Sequence, residues 1–158
     1  MTPLELKGKK APTFRLNNQD NLPRSNTTYR GHWLVLYFYP RDNTPGCTTE
    51  AVEFTSLINR FSDKDAQIVG ISPDTVSSHQ KFIKKKGLKI ELLSDSEKKT
   101  AESFGVWQLK KMAGREYMGV VRTTFLIDPK GTIQEVWEKV KVKGHAGAVY
   151  DTLCTLPL

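Results

Sequence analysis

The stretch Trp33-Leu34-Val35-Leu36-Tyr37-Phe38-Tyr39-Pro40-Arg41-Asp42-Asn43-Thr44-Pro45-Gly46-Cys47-Thr48-Thr49-Glu50 changes character twice. Its first seven residues are apolar or aromatic and β-prone, which predicts a central strand over Trp33–Tyr39. Pro40 ends it, because proline has no N–H to give a sheet ladder. A polar loop with a Pro-Gly step follows. From Cys47 onward apolar residues recur at Ala51, Phe54, Leu57, Ile58 and Phe61, the spacing of a helix over Cys47–Phe61. Cys47 therefore falls in the first helical turn. Unpaired N–H groups and the positive end of the helix dipole favour a thiolate there. A lone cysteine is usually a small buried apolar residue. At this position it reads as a nucleophile, half-sheltered and open only to small reactants.

Outward from this stretch, strand and helix patterns alternate. Ala66–Ile71 reads as a strand, Ser72-Pro73-Asp74 as a turn and Ser77–Lys86 as a basic amphipathic helix closed by Gly87. Ile90–Leu93 is a short strand and Glu97–Phe104 a helix ended by Gly105. The lysine- and glycine-rich Val106–Gly119 reads as a loop, and the N-terminal segment as irregular. Val121–Ile127, the turn at Asp128-Pro129-Lys130-Gly131 and Thr132–Val136 form a hairpin, and Ala146–Leu153 a closing helix. The pattern predicts an α/β three-layer sandwich over residues 1–158, one domain, with a central mixed sheet. The crossover rule makes Trp33–Tyr39 and Ala66–Ile71 parallel. Val121–Ile127 is expected antiparallel beside Trp33–Tyr39, which brings Arg122, its second residue, near Cys47. A guanidinium beside a thiolate stabilises the charged form; a surface salt bridge is the ordinary alternative for Arg122.

Composition excludes several other classes. The net charge of +7, from 24 basic and 17 acidic residues, is spread along the chain, with its densest runs at Lys84-Lys85-Lys86 and Lys139–Lys143. No aromatic-interleaved basic groove suggests nucleic acid, and the reading is a solvated basic surface. Neither a leader with an apolar core nor a membrane-length apolar run is found. Cys47 and Cys154 alone make no disulfide framework, so a reducing cytoplasm is expected. His32, His79 and His145 are scattered, and metal binding is not expected.

Pro40, Thr44 and Cys47 match the P-x-x-x-T-x-x-C signature of peroxiredoxins, and Arg122 in Arg122-Thr123-Thr124-Phe125-Leu126-Ile127-Asp128 matches that family's site arginine. Phe38–Glu50, Gly70–Asp74, Leu92–Asp95 and Val140–His145 resemble the bacterioferritin comigratory protein (PrxQ) subfamily over nearly the whole chain. The resemblance implies a thioredoxin-like fold and thiol-dependent reduction of hydrogen peroxide or organic hydroperoxides through a cysteine sulfenic acid, without metal or haem. It implies antioxidant defence and redox homeostasis, a reductant such as thioredoxin, glutaredoxin or a small thiol, and a monomer or weak dimer. In that frame Cys47 is the peroxidatic thiolate. Thr44 accepts from one peroxide oxygen, Arg122 stabilises thiolate and leaving oxygen, and Pro40 shields the sulfur. Glu50 orients Arg122, or serves only as a carboxylate favoured in a helix's first turn.

The chain departs from the subfamily in its second cysteine. Many members carry a resolving cysteine five residues after the first, where Val52 stands here, or in the following helix, where Ser77–Lys86 has none. Cys154 remains, and Ala146, Val149, Tyr150 and Leu153 make it read as a buried helix residue. A thioredoxin-type reductase would need a second cysteine where Glu50 is, and a cysteine phosphatase an arginine where Glu53 is. A Cys–His hydrolase would need a histidine that sequence cannot assign. The alternative from another class is a redox sensor or chaperone that uses Cys47 as a switch.

Overall fold

Trp33 to Phe38 is buried at every residue, so this strand needs neighbours on both edges and cover on both faces. A computed structural model, which describes residues 2–157, provides both. After a 3₁₀ turn at Pro3–Leu6 come β1 (Arg15–Asn18), β2 (Pro23–Ser25), α1 (Asn26–Tyr29), β3 (Trp33–Phe38), α2 (Pro45–Ser56) and α3 (Ile58–Asp63). They are followed by β4 (Ala66–Ser72), α4 (Val76–Lys86), β5 (Glu91–Ser94), α5 (Lys99–Ser103), β6 (Trp107–Met112) and β7 (Arg115–Val120). β8 (Thr123–Ile127), β9 (Ile133–Trp137) and α6 (His145–Thr155) complete the chain. The main sheet runs β2-β1-β5-β4-β3-β8-β9. β3 is parallel to β4 and antiparallel to β8, as the crossover and hairpin patterns require.

Alternate residues of β3 build the two cores. Trp33, Val35, Tyr37 and Tyr39 face a layer containing Cys47, Ala51 and Phe54 of α2, Phe82 of α4, and Val149 and Leu153 of α6. Leu34, Leu36 and Phe38 face Phe14, Tyr29, Ala101, Phe104 and Phe125. This is the three-layer arrangement that the sequence pattern predicts, in the thioredoxin-like form that the family resemblance implies. Among the described residues no helix is long and apolar enough to cross a membrane.

Several elements differ from the sequence reading, each for a local reason. The helix expected over Cys47–Phe61 starts two residues earlier, at Pro45, whose fixed φ and missing N–H suit the first helical position. It breaks at Leu57 (φ −102°, ψ 7°), just after Ser56 Oγ donates to the Glu53 carbonyl at 2.7 Å, a back-bond that bends helices. The helix expected over Glu97–Phe104 is only Lys99–Ser103, because the Asp95 carboxylate accepts from the Thr100 and Ala101 N–H groups and sets its start. Val106–Gly119 is not a loop but mostly the β6–β7 hairpin. Its two-residue turn places Ala113 and Gly114 at φ +51° and +78°, and the alanine hides the usual turn signal. The N-terminal segment holds the β1–β2 hairpin, where Pro23 is tolerated because β2 is the sheet edge.

Gly70 on β4 pairs with Tyr37 on β3, and a Cβ at Gly70 would stand 2.8 Å from Tyr37 Cζ and 2.9 Å from Leu92 Cδ2. Gly70→Ala should therefore cost ~1–3 kcal/mol of stability by overpacking. Urea unfolding checks this; an unchanged midpoint would mean that the layer between β3 and α2 can give way.

Candidate active site

The site forms where β3 ends and α2 begins. Thr44 is the N-cap of α2 with extended backbone (φ −93°, ψ 156°), and the Thr48 N–H closes the first turn on the Thr44 carbonyl at 2.8 Å. Pro45, Gly46 and Cys47 are the first three helical residues, so the Gly46 and Cys47 N–H groups lie at the end of the helix that lacks internal acceptors. The Thr44 hydroxyl donates to the Arg41 carbonyl at 2.9 Å. With its proton committed, it can meet an incoming group only as an acceptor. Pro40 is half-buried at the end of the strand, and Cys47 is 2% exposed.

Arg122 reaches this turn from the other side. The register pairs Phe38 with Thr123, so Arg122 sits just before β8, opposite the point where β3 feeds the loop. The sequence reading placed it within the strand, and the strand begins one residue later. Its carbonyl accepts from the Val140 N–H at 3.0 Å, which gives the Val140–His145 segment a part in fixing it. Nη2 donates to Cys47 Sγ at 3.3 Å and Nη1 to Glu50 Oε1 at 2.7 Å. A Cβ on Gly46 would stand 3.2 Å from Nη2, so a residue without one lets the guanidinium lie against the turn. One planar cation thus bridges a buried sulfur and a buried carboxylate.

Charge at the site is strongly coupled to burial. Burial pushes the Glu50 carboxyl up to about 7, against the opposing pull of Arg122. Its second oxygen, Oε2, has no hydrogen-bond partner, and neither does the buried Tyr37 hydroxyl. Burial works against the Arg122 charge, but Glu50 and Cys47 outweigh it and raise the guanidinium pKa. Lys110 enters from the β6–β7 hairpin and donates to the Val120 carbonyl at 3.1 Å. Burial and then the Arg122 charge lower its pKa, with Cys47 opposing. His145 meets Thr124 Oγ1 through Nε2 at 2.8 Å and packs edge-on against Phe54 and Trp137. Burial, then Arg122, holds its imidazole down to about 4, so it is neutral at physiological pH. No buried alternation marks the hairpin that carries Lys110, and the Val140–His145 segment carries no local signal of what His145 meets.

Cys154 is not where the sequence reading placed it. The buried stripe of α6 is Ala146, Val149 and Leu153, and Cys154, one residue on, turns ~100° out to solvent. It also lies far from Cys47. Cys154 is one turn from Tyr150, whose ring packs on Phe61 of α3, whereas Cys47 lies at the opposite end of α2, nine residues and about 13 Å along the helix from Ser56 at ~1.5 Å per residue. Disulfide geometry allows Cα atoms no more than ~7 Å apart. Of the other titratable groups, Asp42, Asp74 and His79 bring ligand-type atoms within 4.8 Å of one another. These atoms engage each other or neighbouring hydroxyl and amide groups, His79 Nδ1 meeting Asp42 Oδ2 at 2.7 Å.

A mixed sheet of this order, with a cysteine in the first turn of α2 held by an arginine just before β8, is the frame of a thiol-based redox enzyme. The chain belongs to the AhpC/TSA family, whose model matches residues 7–136. Within it the chain is a thiol-dependent peroxidase of the peroxiredoxin kind. It is 48% identical over 146 residues to peroxiredoxin Bcp of Bacillus subtilis, covering 92% of this chain and 93% of that one. Peroxiredoxin Bcp of Xanthomonas campestris is 42% identical over 151 residues, covering 96% and 87%. The solved structure of the Xanthomonas campestris bacterioferritin comigratory protein, described in terms of its alkyl peroxide reduction activity, superposes with a TM-score of 0.86. Its identity is 40%, over 90% of each chain. That of Xylella fastidiosa PrxQ gives 0.87 at 38% identity, over 93% of this chain and 96% of that one. These relatives do not favour the sensor or chaperone reading.

The raised Glu50 carboxyl has a measurable consequence. The folded chain keeps the proton at a pH where the unfolded chain has lost it, so stability falls as pH rises from about 4.5 to about 7. At ~1.4 kcal/mol per unit, the burden is on the order of 3 kcal/mol. Glu50→Gln, which mimics the protonated form, should match the wild-type pH trend below about pH 5 and gain on the order of 3 kcal/mol on it above about pH 7. Denaturant unfolding across this range is the check, and parallel curves throughout would show that burial leaves the Glu50 pKa the same in the folded and unfolded chains.

Proposed function

We propose that Cys47 is the peroxidatic nucleophile and that Thr44, Arg122 and Pro40 complete its site, with Glu50 orienting Arg122. The observation that carries this is the Arg122 bridge between the Cys47 sulfur and the Glu50 carboxylate. The thiolate attacks one peroxide oxygen. The S–O bond forms as the O–O bond breaks, sulfur is oxidised by two electrons, and the leaving oxygen departs as water or alcohol after taking a proton. Charge builds on that leaving oxygen, where the Arg122 guanidinium and the α2 N–H groups lower the barrier. Thr44 accepts the hydrogen of the hydroperoxide, consistent with its own proton being held by Arg41. Pro40 keeps bulk water from the sulfur.

The alkyl peroxide reduction described for the Xanthomonas relative supports organic hydroperoxides as substrates alongside hydrogen peroxide. For the second half-reaction we propose one-cysteine behaviour. Position 52 is valine, α4 carries no cysteine, and Cys154 is remote, so an external thiol reduces the sulfenic acid. That thiol belongs to thioredoxin, glutaredoxin or a small thiol compound. The chain acts in the cytoplasm, as a monomer or weak dimer, in antioxidant defence and redox homeostasis.

Intact mass spectrometry after one equivalent of peroxide tests this. The wild type and Cys154→Ser should each gain one oxygen at Cys47, and Cys47→Ser should lose peroxidase activity. A Cys47–Cys154 disulfide forming as fast as the sulfenic acid decays would contradict the one-cysteine reading. Normal peroxide consumption by Cys47→Ser would overturn the assignment itself.

A further inference from the structure

At 2% exposure, the burial of Cys47 suits a small peroxide but not a protein thiol. A disulfide to a second chain needs Cα atoms ~4.4–6.8 Å apart, which another backbone cannot reach while Cys47 stays in the core. The segment between β3 and α2 must therefore move between the two half-reactions, and something must hold it during the first.

The polar ties of this segment converge on Asp42, five residues before Cys47. Its N–H donates to Asp74 Oδ2 at 2.8 Å. Its Oδ1 accepts from the Tyr39 hydroxyl at 2.6 Å, and its Oδ2 accepts from Ser78 Oγ at 2.7 Å and meets His79 Nδ1 at 2.7 Å. His79 is fully buried on α4, and its Nε2 donates to the Leu93 carbonyl, which can only accept, at 2.9 Å. Asp74 is held in turn by Ser72 Oγ at 2.6 Å. One loop residue is thus tied to α4 and to the ends of β4 and β5. Asn43 follows at φ +60° and redirects the chain toward Thr44. A cleft of about 380 Å³ lies between the segment and α4, lined by Asp42, Asp74 and Ser78 together with Arg41, Lys81 and Lys85.

Resting on the role proposed for Cys47, we infer that Asp42 and His79 are positioning residues whose pair latches the segment in its peroxide-reactive form. Release of the latch exposes oxidised Cys47 to the reductant. In that open form a reductant thiolate attacks the sulfenic sulfur. The S–S bond forms, the S–O bond breaks, and hydroxide leaves as water with a proton from solvent. A second reductant thiol then frees Cys47. Neither Asp42 nor His79 touches the reacting atoms, and a buried pair of this kind is costly to break from either side.

A merely structural role would slow both half-reactions together, whereas a latch moves them in opposite directions. In a Cys154→Ser background, Asp42→Asn and His79→Gln should speed Cys47 alkylation by a bulky maleimide about tenfold. They should speed reduction of the oxidised protein by thioredoxin similarly, and slow stopped-flow oxidation by hydrogen peroxide. Circular dichroism confirms folding; where a variant does not fold, Ser78→Ala, which removes one donor to Asp42, should show the same opposed changes at smaller size. Equal losses in both half-reactions, or unchanged alkylation, would overturn the latch. If the wild type failed to react with peroxide while alkylation still rose in the variants, the proposed function would fall and the latch would stand.

Discussion

A single guanidinium holds the site together. Arg122 donates to the Cys47 sulfur with one nitrogen and to the Glu50 carboxylate with another; the sulfur and carboxylate are buried and the guanidinium is half-buried. In a site of low dielectric such contacts are strong, and each partner left alone would be costly. The arrangement accounts for details that otherwise look unrelated. Gly46 has no side chain because the guanidinium lies against it, and the Val140 N–H grips the Arg122 carbonyl from behind. Glu50 keeps one oxygen without a partner and is pushed up toward neutrality. The site holds a carboxylate at some cost to stability, and its yield is a fixed orientation for the cation that faces the sulfur.

The sheet supplies the geometry on which that contact depends. β3 runs through the middle of the molecule, buried on both faces, and delivers its end to the loop and α2. β8 runs back beside it, so the residue before β8 is brought to the same end. The loop between them is tied to α4 through Asp42 and His79 rather than through Cys47 itself. An interior strand of the sheet beside Arg122 and a loop tied elsewhere for Cys47 suit the sheltering and release proposed above for the thiol.

Much of this was legible in the residues. The unbroken apolar run Trp33–Tyr39, the stop at Pro40 and the helical spacing after Cys47 sufficed for the core of the fold. The antiparallel return expected of Val121–Ile127 brings Arg122 near the thiol on pattern alone. What was not legible depends on tertiary context. The β6–β7 hairpin turns on Ala113 at φ +51°, a residue that does not announce a turn, and much of its apolar surface faces solvent, so no buried stripe marks it. Cys154 was misplaced because adjacent positions on a helix differ by ~100°, enough to carry it from the core to the surface. Asp42, Asp74 and His79 meet across three segments, and no local pattern joins them.

The account rests on Arg122 acting on the sulfur rather than merely filling a salt bridge. The most direct measurement is the second-order rate constant for Cys47 oxidation by hydrogen peroxide in Arg122→Ala against wild type, by stopped flow at neutral pH. Loss of a preorganised donor to developing charge predicts a fall on the order of 10²–10³-fold. An unchanged rate constant in a folded Arg122→Ala protein would contradict the account.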